Sequence, residues 1–346
     1  MAPNLVTLSG LGFIAINLLV TLAYNPSLDK ELPRWVYFSN AFGLFMYQTF
    51  DGCDGIHARR IGQSSPLGEL FDHSVDSINT TLSLYIFCAT IGTGYTLRLI
   101  FSQFALLANF YLSTWEEYHT HVLYLSEFSG PVEGILMVCF AFILTGIFGP
   151  KVIWHSTVCT VEYNYRSYVV DTSDIVVIFF TLGLIANCIS ARRNVVECYW
   201  RDKNSLDPRK SILNALKGLI PFILYMVVTV LLVIVEPRFI SIPFTLSVGL
   251  TTSFVVGRII VNHLTRQSFP YINLPMALPA VQLVLYKIIT FYCGNSGDIN
   301  SAVSSLSWAG FGLALGIHGM FINEVTYEFT RYLDVYALTI KHPKFV

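Results

Sequence analysis

Ten apolar runs alternate with short polar connections along the chain, at roughly 4–24, 35–57, 70–93, 97–116, 131–148, 174–190, 218–235, 239–263, 274–293 and 302–325. A helix needs about 20 residues to cross a hydrocarbon core, so the pattern predicts about ten transmembrane helices and an all-α, polytopic integral membrane fold. Gly and Pro interrupt several runs and blur their edges. The second and third depart from a plain lipid-spanning pattern, because their facing ends carry charges. The longest polar stretch, 191–217, reads as a solvated cytosolic loop between a six-helix front part (1–190) and a four-helix back part (218–346). No fixed-period repeat or low-complexity tract is present.

Composition agrees with this reading. Only 12% of the 346 residues are charged and 54% are hydrophobic, which excludes an ordinary water-soluble fold. Aromatics, at 14%, suit helix packing in lipid and the interfacial belts. A net charge of -1 leaves no basic surface for nucleic acid. The seven cysteines lie mostly in apolar runs (Cys53, Cys88, Cys139, Cys188) without metal-site spacing, so neither a disulfide scaffold nor a zinc site is expected. With the N-terminus in the cytosol, cytosolic segments hold 13 Lys and Arg and the opposite side 6, which sets the orientation. Arg258 and Lys287 fall inside later helices, where pairing or snorkelling is expected. Met1-Ala2-Pro3-Asn4 lacks the basic start of a cleavable signal, and Asn79-Thr80-Thr81 is a glycosylation triplet inside a predicted helix, hence inaccessible.

The chemistry concentrates between the second and third runs. Asp51, Asp54, Asp72 and Asp76 place four carboxylates within 26 residues, where two apolar helices meet the interface. An intramembrane acid costs at least a few kcal/mol unless it faces a cavity and finds a partner. Asp51, Asp54 and Ala58 share one helical stripe, and Gly68, Asp72 and Asp76 share another. Two antiparallel helices joined by a short turn would point both pairs into one pocket. Clustered carboxylates repel, and hard cations such as Mg²⁺ or Mn²⁺, with oxygen ligands completed by substrate phosphates, relieve this. Gly55 and Gly68 remove side chains where an anionic ligand approaches backbone, and Arg59 supplies a fork suited to phosphate. On the residues alone, an enzyme acting on a phosphorylated substrate and a cation-coupled transporter both remain open.

The string Asp51-Gly-Cys-Asp54-Gly55-Ile-His-Ala58-Arg59, then Gly68, Asp72 and Asp76 at their spacing, resembles the signature of the CDP-alcohol phosphotransferases at every fixed position. Ala2-Pro3-Asn4, Pro66 to His73, Gly130-Pro131-Val132-Glu133-Gly134 and Ile340-Lys341-His342-Pro343 extend the likeness to the eukaryotic choline/ethanolamine phosphotransferases, and Thr114 to His121 looks most like the fungal members. The resemblance implies that family's fold and transfer of phosphocholine or phosphoethanolamine from CDP-choline or CDP-ethanolamine to diacylglycerol, releasing CMP. A relative using another acceptor, such as inositol or glycerol phosphate, is the alternative within the family. It further implies two Mg²⁺ or Mn²⁺ ions held by Asp51, Asp54, Asp72 and Asp76, and a cytidine and phosphate site lined by Gly55, Ala58, Arg59 and Gly68, with Asn4 as an added contact. His73 is the expected general base, with Asp76 as the alternative. Glu133 is a candidate for attracting the ammonium head group. A homodimer, with the back part contributing, and an endoplasmic reticulum or Golgi membrane with the site facing the cytosol are also implied. Relatives carry amphipathic helices ahead of the Ala-Pro-Asn segment, so part of the expected cover over the cytidine site is not in this sequence.

Outside the motif, Glu116, Glu117, His119 and His121 resemble a metal site by residue type, but their position at a helix end predicts a solvated, interface-anchoring face. His318 and Asn323 in the last run are expected to make an interhelical hydrogen bond.

Overall fold

The computed structural model describes residues 1–122, 124, 131–163, 166–201, 207–293 and 299–342; Gly130 and Pro343 of the family-like segments, and Lys203 and Lys344 among the cytosolic charges, lie outside them. Among the described residues the helices are α1 (Pro3–Tyr24), α2 (Arg34–Arg60), α3 (Pro66–Ile91), α4 (Leu97–Thr120), α5 (Pro131–Phe148), α6 (Pro150–Trp154), α7 (Thr172–Arg201), α8 (Pro208–Lys217), α9 (Leu219–Val235), α10 (Ile242–Leu264), α11 (Leu278–Cys293) and α12 (Ile299–Leu333). Each apolar run is helical. Six stretches are long and apolar enough to cross a membrane by length and composition: Pro3–Tyr24, Thr172–Arg201, Pro208–Val235, Ile242–Leu264, Leu274–Tyr292 and Ile299–Leu333. The chain is a multi-pass membrane protein. The remaining predicted spans correspond to α2 to α5, of which α2 and α3 carry the acidic motif.

Two features depart from the expected pattern. An antiparallel strand pair, β1 (Thr157–Tyr163) with β2 (Arg166–Asp171), stands among the described helices. Its Val and Thr residues are β-branched and favour the pleated backbone. Arg98 anchors its end, meeting Asp174 at 2.9 Å and donating to the Ser173 hydroxyl at 3.0 Å. The polar stretch 191–217, expected as a loop, is helical over its described residues except around Asp207. There α7 continues to Arg201, with Glu197 flanked by Arg193 and Arg201, and Asp207 caps α8 by accepting from the Lys210 amide at 3.2 Å. Paired charges and a capped Pro-initiated turn support helix locally even where the composition is polar.

The described residues group into two compact units, the first drawn from 1–106, 125–186 and 333–346 and the second from 107–124 and 187–332. In the first, α1 packs along α2 and α3, and α2 packs along α5. The buried face of α1 repeats at helical spacing as Asn4, Thr7, Gly10, Ile14, Asn17 and Thr21. Its polar members bond across to α2: Asn17 donates to the Ser39 carbonyl at 2.9 Å, and the Asn40 amide donates to Thr21 at 3.2 Å. Gly43 lets this happen, because a Cβ there would collide with the Asn17 amide. Likewise a Cβ at Gly146 of α5 would lie 2.9 Å from the Phe38 ring. Small residues that let helices approach, with polar side chains bonding across them, replace the hydrophobic drive that is missing in lipid.

In the second unit, Trp115 donates to the Ala215 carbonyl at 3.0 Å and the Tyr111 ring stacks on Phe222 at 4.1 Å. Glu116 is buried and accepts from Asn194 at 2.6 Å, while His119 meets the Tyr199 hydroxyl at 3.0 Å. The Glu116 to His119 segment is therefore an internal joint against α7 rather than the solvated face that was expected; only His121 is exposed. Arg258 pairs as anticipated, donating to Asn273 at 2.7 Å. The expected interhelical bond of α12 is not seen among the described residues: both ring nitrogens of buried His318 have no hydrogen-bond partner there, and Asn323 is exposed. Asn79 is buried and accepts from Ser83, so the glycosylation triplet is inaccessible.

Gly43→Ala should destabilise the protein in detergent by about 1–3 kcal/mol, the usual cost of overpacking. Its thermal midpoint by tryptophan fluorescence should fall, whereas Gly183→Ala, at a helix position open to solvent or lipid, should not lower it.

Candidate active site

A five-residue turn sets the site. Gly62 adopts a left-handed φ of 65°, and the Gln63 amide bonds the Ala58 carbonyl at 2.8 Å, which ends α2. Ser65 then caps α3 by accepting from the Gly68 amide at 3.2 Å, with Pro66 in the first helical position. The two helices return past each other as the motif spacing predicted.

This arrangement brings Asp51, Asp72 and Asp76 together, with one carboxylate oxygen from each lying within 4.8 Å of the others. Asp54 is not in that group. It is buried on the neighbouring turn, where Thr7 of α1 donates to its carboxylate. Tyr47, one turn before Asp51, donates to Asp76, and Gln48 donates to Asp51 at 3.3 Å.

Beside the acids lies a cavity of about 310 Å³. Of the predicted site residues, Asn4, Asp54, Gly55, Ala58, Arg59, Gly68 and Asp72 line it. Asp72 thus belongs both to the carboxylate group and to the cavity wall. A Cβ at Gly55 would lie 3.6 Å from the Arg59 guanidinium, and one at Gly68 would lie 3.7 Å from Asn4 Oδ1. Both are ordinary contacts, so these glycines keep the cavity wide rather than relieve a clash. Arg59 is exposed and makes no ion pair among the described residues. His73 and Glu133 do not line the cavity; His73 is half-buried on α3, and Glu133 is exposed in the first turn of α5.

Three close carboxylates need compensating positive charge. At an effective dielectric of about 20, each ionised pair at this separation repels by about 3 kcal/mol. No Lys or Arg forms an ion pair with any of the three among the described residues. Asp72 Oδ1 is moreover buried without a hydrogen-bond partner. An all-oxygen donor set with one unsatisfied buried oxygen fits a hard divalent cation.

Sequence reasoning missed several members. Thr7 and Tyr47 carried a signal: Thr7 follows Asn4 at i, i+3, and Tyr47 precedes Asp51 at i, i+4. Glu69 also lines the cavity, as do Val335, Tyr336, Ala337, Thr339 and Ile340 from the far end of the chain. No local pattern places that last segment here.

The sequence of this chain is similar to those of known proteins. The sequence model of the family described as CDP-alcohol phosphatidyltransferase matches residues 1–162. Choline/ethanolaminephosphotransferase 1 of Saccharomyces cerevisiae is 56% identical over 346 residues, covering 99% of this chain and 88% of that protein. Cholinephosphotransferase 1 of the same yeast is 53% identical over 348 residues, with coverage of 99% and 88%. Choline/ethanolaminephosphotransferase 1 of Arabidopsis thaliana is 30% identical over 357 residues, covering 98% and 87%. The chain belongs to the CDP-alcohol phosphatidyltransferase family.

Thr7→Val keeps the shape of the α1 contact but removes the hydroxyl that donates to the buried Asp54 carboxylate. Metal-free protein should lose about 1–3 kcal/mol of stability, seen as a lower thermal midpoint, and Thr7→Ser should restore most of it.

Proposed function

We propose that the protein transfers phosphocholine or phosphoethanolamine from the CDP-alcohol to the hydroxyl of 1,2-diacylglycerol, giving phosphatidylcholine or phosphatidylethanolamine and CMP. The observation that carries this reading is Asp72, shared between the carboxylate group and a cavity lined by the motif residues. Identity above one half with yeast choline and ethanolamine phosphotransferases supports the substrate class.

In the reaction, the diacylglycerol oxygen forms a bond to the β-phosphorus as the bond from that phosphorus to the bridging oxygen of CMP breaks. Arg59 and the cavity faces of Gly55, Ala58, Gly68 and Asn4 hold the nucleotide and its phosphates. Thr7 and Tyr47 fix the orientations of Asp54 and Asp76. Mg²⁺ or Mn²⁺, two ions by family resemblance, held by Asp51, Asp72 and Asp76 together with Asp54, would neutralise the diphosphate and polarise the β-phosphoryl group.

Asp76 is engaged by Tyr47 and by its fellow acids, whereas His73 has no hydrogen-bond partner among the described residues. His73 is therefore the proposed acceptor of the lipid hydroxyl proton. Glu133, exposed in the first turn of α5, is the proposed attractor of the ammonium head group. The excess of Lys and Arg on one side supports a cytosolic opening, from which the soluble donor enters while diacylglycerol arrives through the bilayer. An endoplasmic reticulum membrane, a homodimer and a catalytic role for residues 1–190 complete the proposal.

Purified protein in lipid, supplied with CDP-choline or CDP-ethanolamine and diacylglycerol, should release CMP and form phospholipid in step. Asp54→Asn should lower turnover by about 10²-fold or more while the protein remains folded. His73→Gln should lower kcat by about 10²-fold or more and remove the acid limb of the pH profile. Retained turnover in Asp54→Asn would overturn the reading.

A further inference from the structure

We propose that residues 334–342, the segment following α12, form a strap that closes the nucleotide cavity and positions Asn4 for the CDP-alcohol. This inference rests on the transferase reading above and adds to it a donor-binding element from the end of the chain, outside the family motif.

Three observations place the strap. Its residues Val335, Tyr336, Ala337, Thr339 and Ile340 supply one wall of the cavity. It is tied to residues that themselves line that cavity: the Asn4 amide donates to the Ala337 carbonyl at 3.0 Å, and the Gln63 amide donates to the His342 carbonyl at 3.0 Å. The strap is also folded back on itself. Asp334 pairs with Lys341, and its other carboxylate oxygen meets His342 Nε2 at 2.9 Å. Asp334 starts this bend in the left-handed region at φ 53°, a conformation that Asp tolerates better than most residues. The Lys341 ammonium lies 5.3 Å from the centre of the Tyr336 ring.

The Asn4 bond has a chemical consequence. With its amide nitrogen committed to Ala337, the side chain is fixed in one rotamer, and Oδ1 stays on the Gly68 side, 3.7 Å from where a Cβ there would be. The strap therefore decides which way a residue of the donor site presents its acceptor. The hydrogen bond to Lys341, then that to His342, holds the Asp334 carboxyl below its usual range, in keeping with a closed clasp at neutral pH. Exposed pairs of this kind contribute little each. The strap is thus closed by a few weak bonds that can open for the nucleotide to enter and leave.

The test separates donor from acceptor. In the double variant Asp334→Ala with Lys341→Ala, the KM for CDP-alcohol should rise by about fivefold, the size expected from losing an exposed clasp. The KM for diacylglycerol and kcat should stay within about twofold. The charge swap Asp334→Lys with Lys341→Asp should recover most of the loss. An unchanged KM for CDP-alcohol in the double variant would overturn the proposal. Hydrogen exchange with CMP and Mg²⁺ gives a readout that needs no turnover. The proposal predicts that CMP slows exchange both at residues 54–68 and at 334–342. Protection of 54–68 without 334–342 would overturn the strap and leave the transferase reading standing. Protection of neither would overturn both.

Discussion

Mutual repulsion among carboxylates at the end of two apolar helices is the constraint around which the first unit is organised. Asp51, Asp72 and Asp76 approach within 4.8 Å, and no basic side chain among the described residues neutralises them. Such a group in a membrane protein calls for a cation or bound protons, and for a scaffold that resists its tendency to spread. The scaffold does so with polar bonds rather than hydrophobic force. Thr7 holds Asp54, Tyr47 holds Asp76, and farther along the same helix seam Asn17 and Thr21 lock α1 to α2. Gly43 brings the two backbones close enough for those bonds to form.

The same frame explains how a soluble, charged donor and a membrane-bound acceptor can meet. The acid group sits where α2 ends and α3 begins, and the turn between them is stopped by Gly62 on one side and capped by Ser65 on the other. Arg59 stands exposed on the cavity wall with no ion pair among the described residues, where the proposed function has it meet a phosphate, while Asp72 joins the cavity wall to the other acids. Positioning and charge compensation are what phosphoryl transfer chiefly asks of a protein. In the proposed reaction a single helix pair with α1 laid against it would provide the positioning, and the cation its acids would hold would provide the charge compensation.

Much of this was legible in the order of residues, because it is local. The i, i+3 and i, i+4 spacings of Asp51, Asp54, Asp72 and Asp76 are enough to assign each acid to a helix face, and the family resemblance supplied the chemistry. Spacing alone could not say that Asp54 leaves the group for Thr7, since that choice depends on where α1 packs. Composition misread the segment 191–217, because a run of charges can stabilise a helix through i, i+4 pairs as readily as it can solvate a loop. Glu116 looked solvated for the same reason; its burial depends on Asn194, 78 residues away. The strap was beyond reach, as Asn4 and Ala337 are separated by nearly the whole chain.

The central claim is that the carboxylate group is a divalent-cation site serving the nucleotide diphosphate, and metal binding tests it more directly than turnover does. Mn²⁺ bound to the purified protein can be counted from the loss of free-ion signal in electron paramagnetic resonance, with and without CMP. The account predicts saturable binding that CMP tightens, and that Asp72→Asn abolishes in a protein that is still folded. Binding that is indifferent to Asp72→Asn would contradict it.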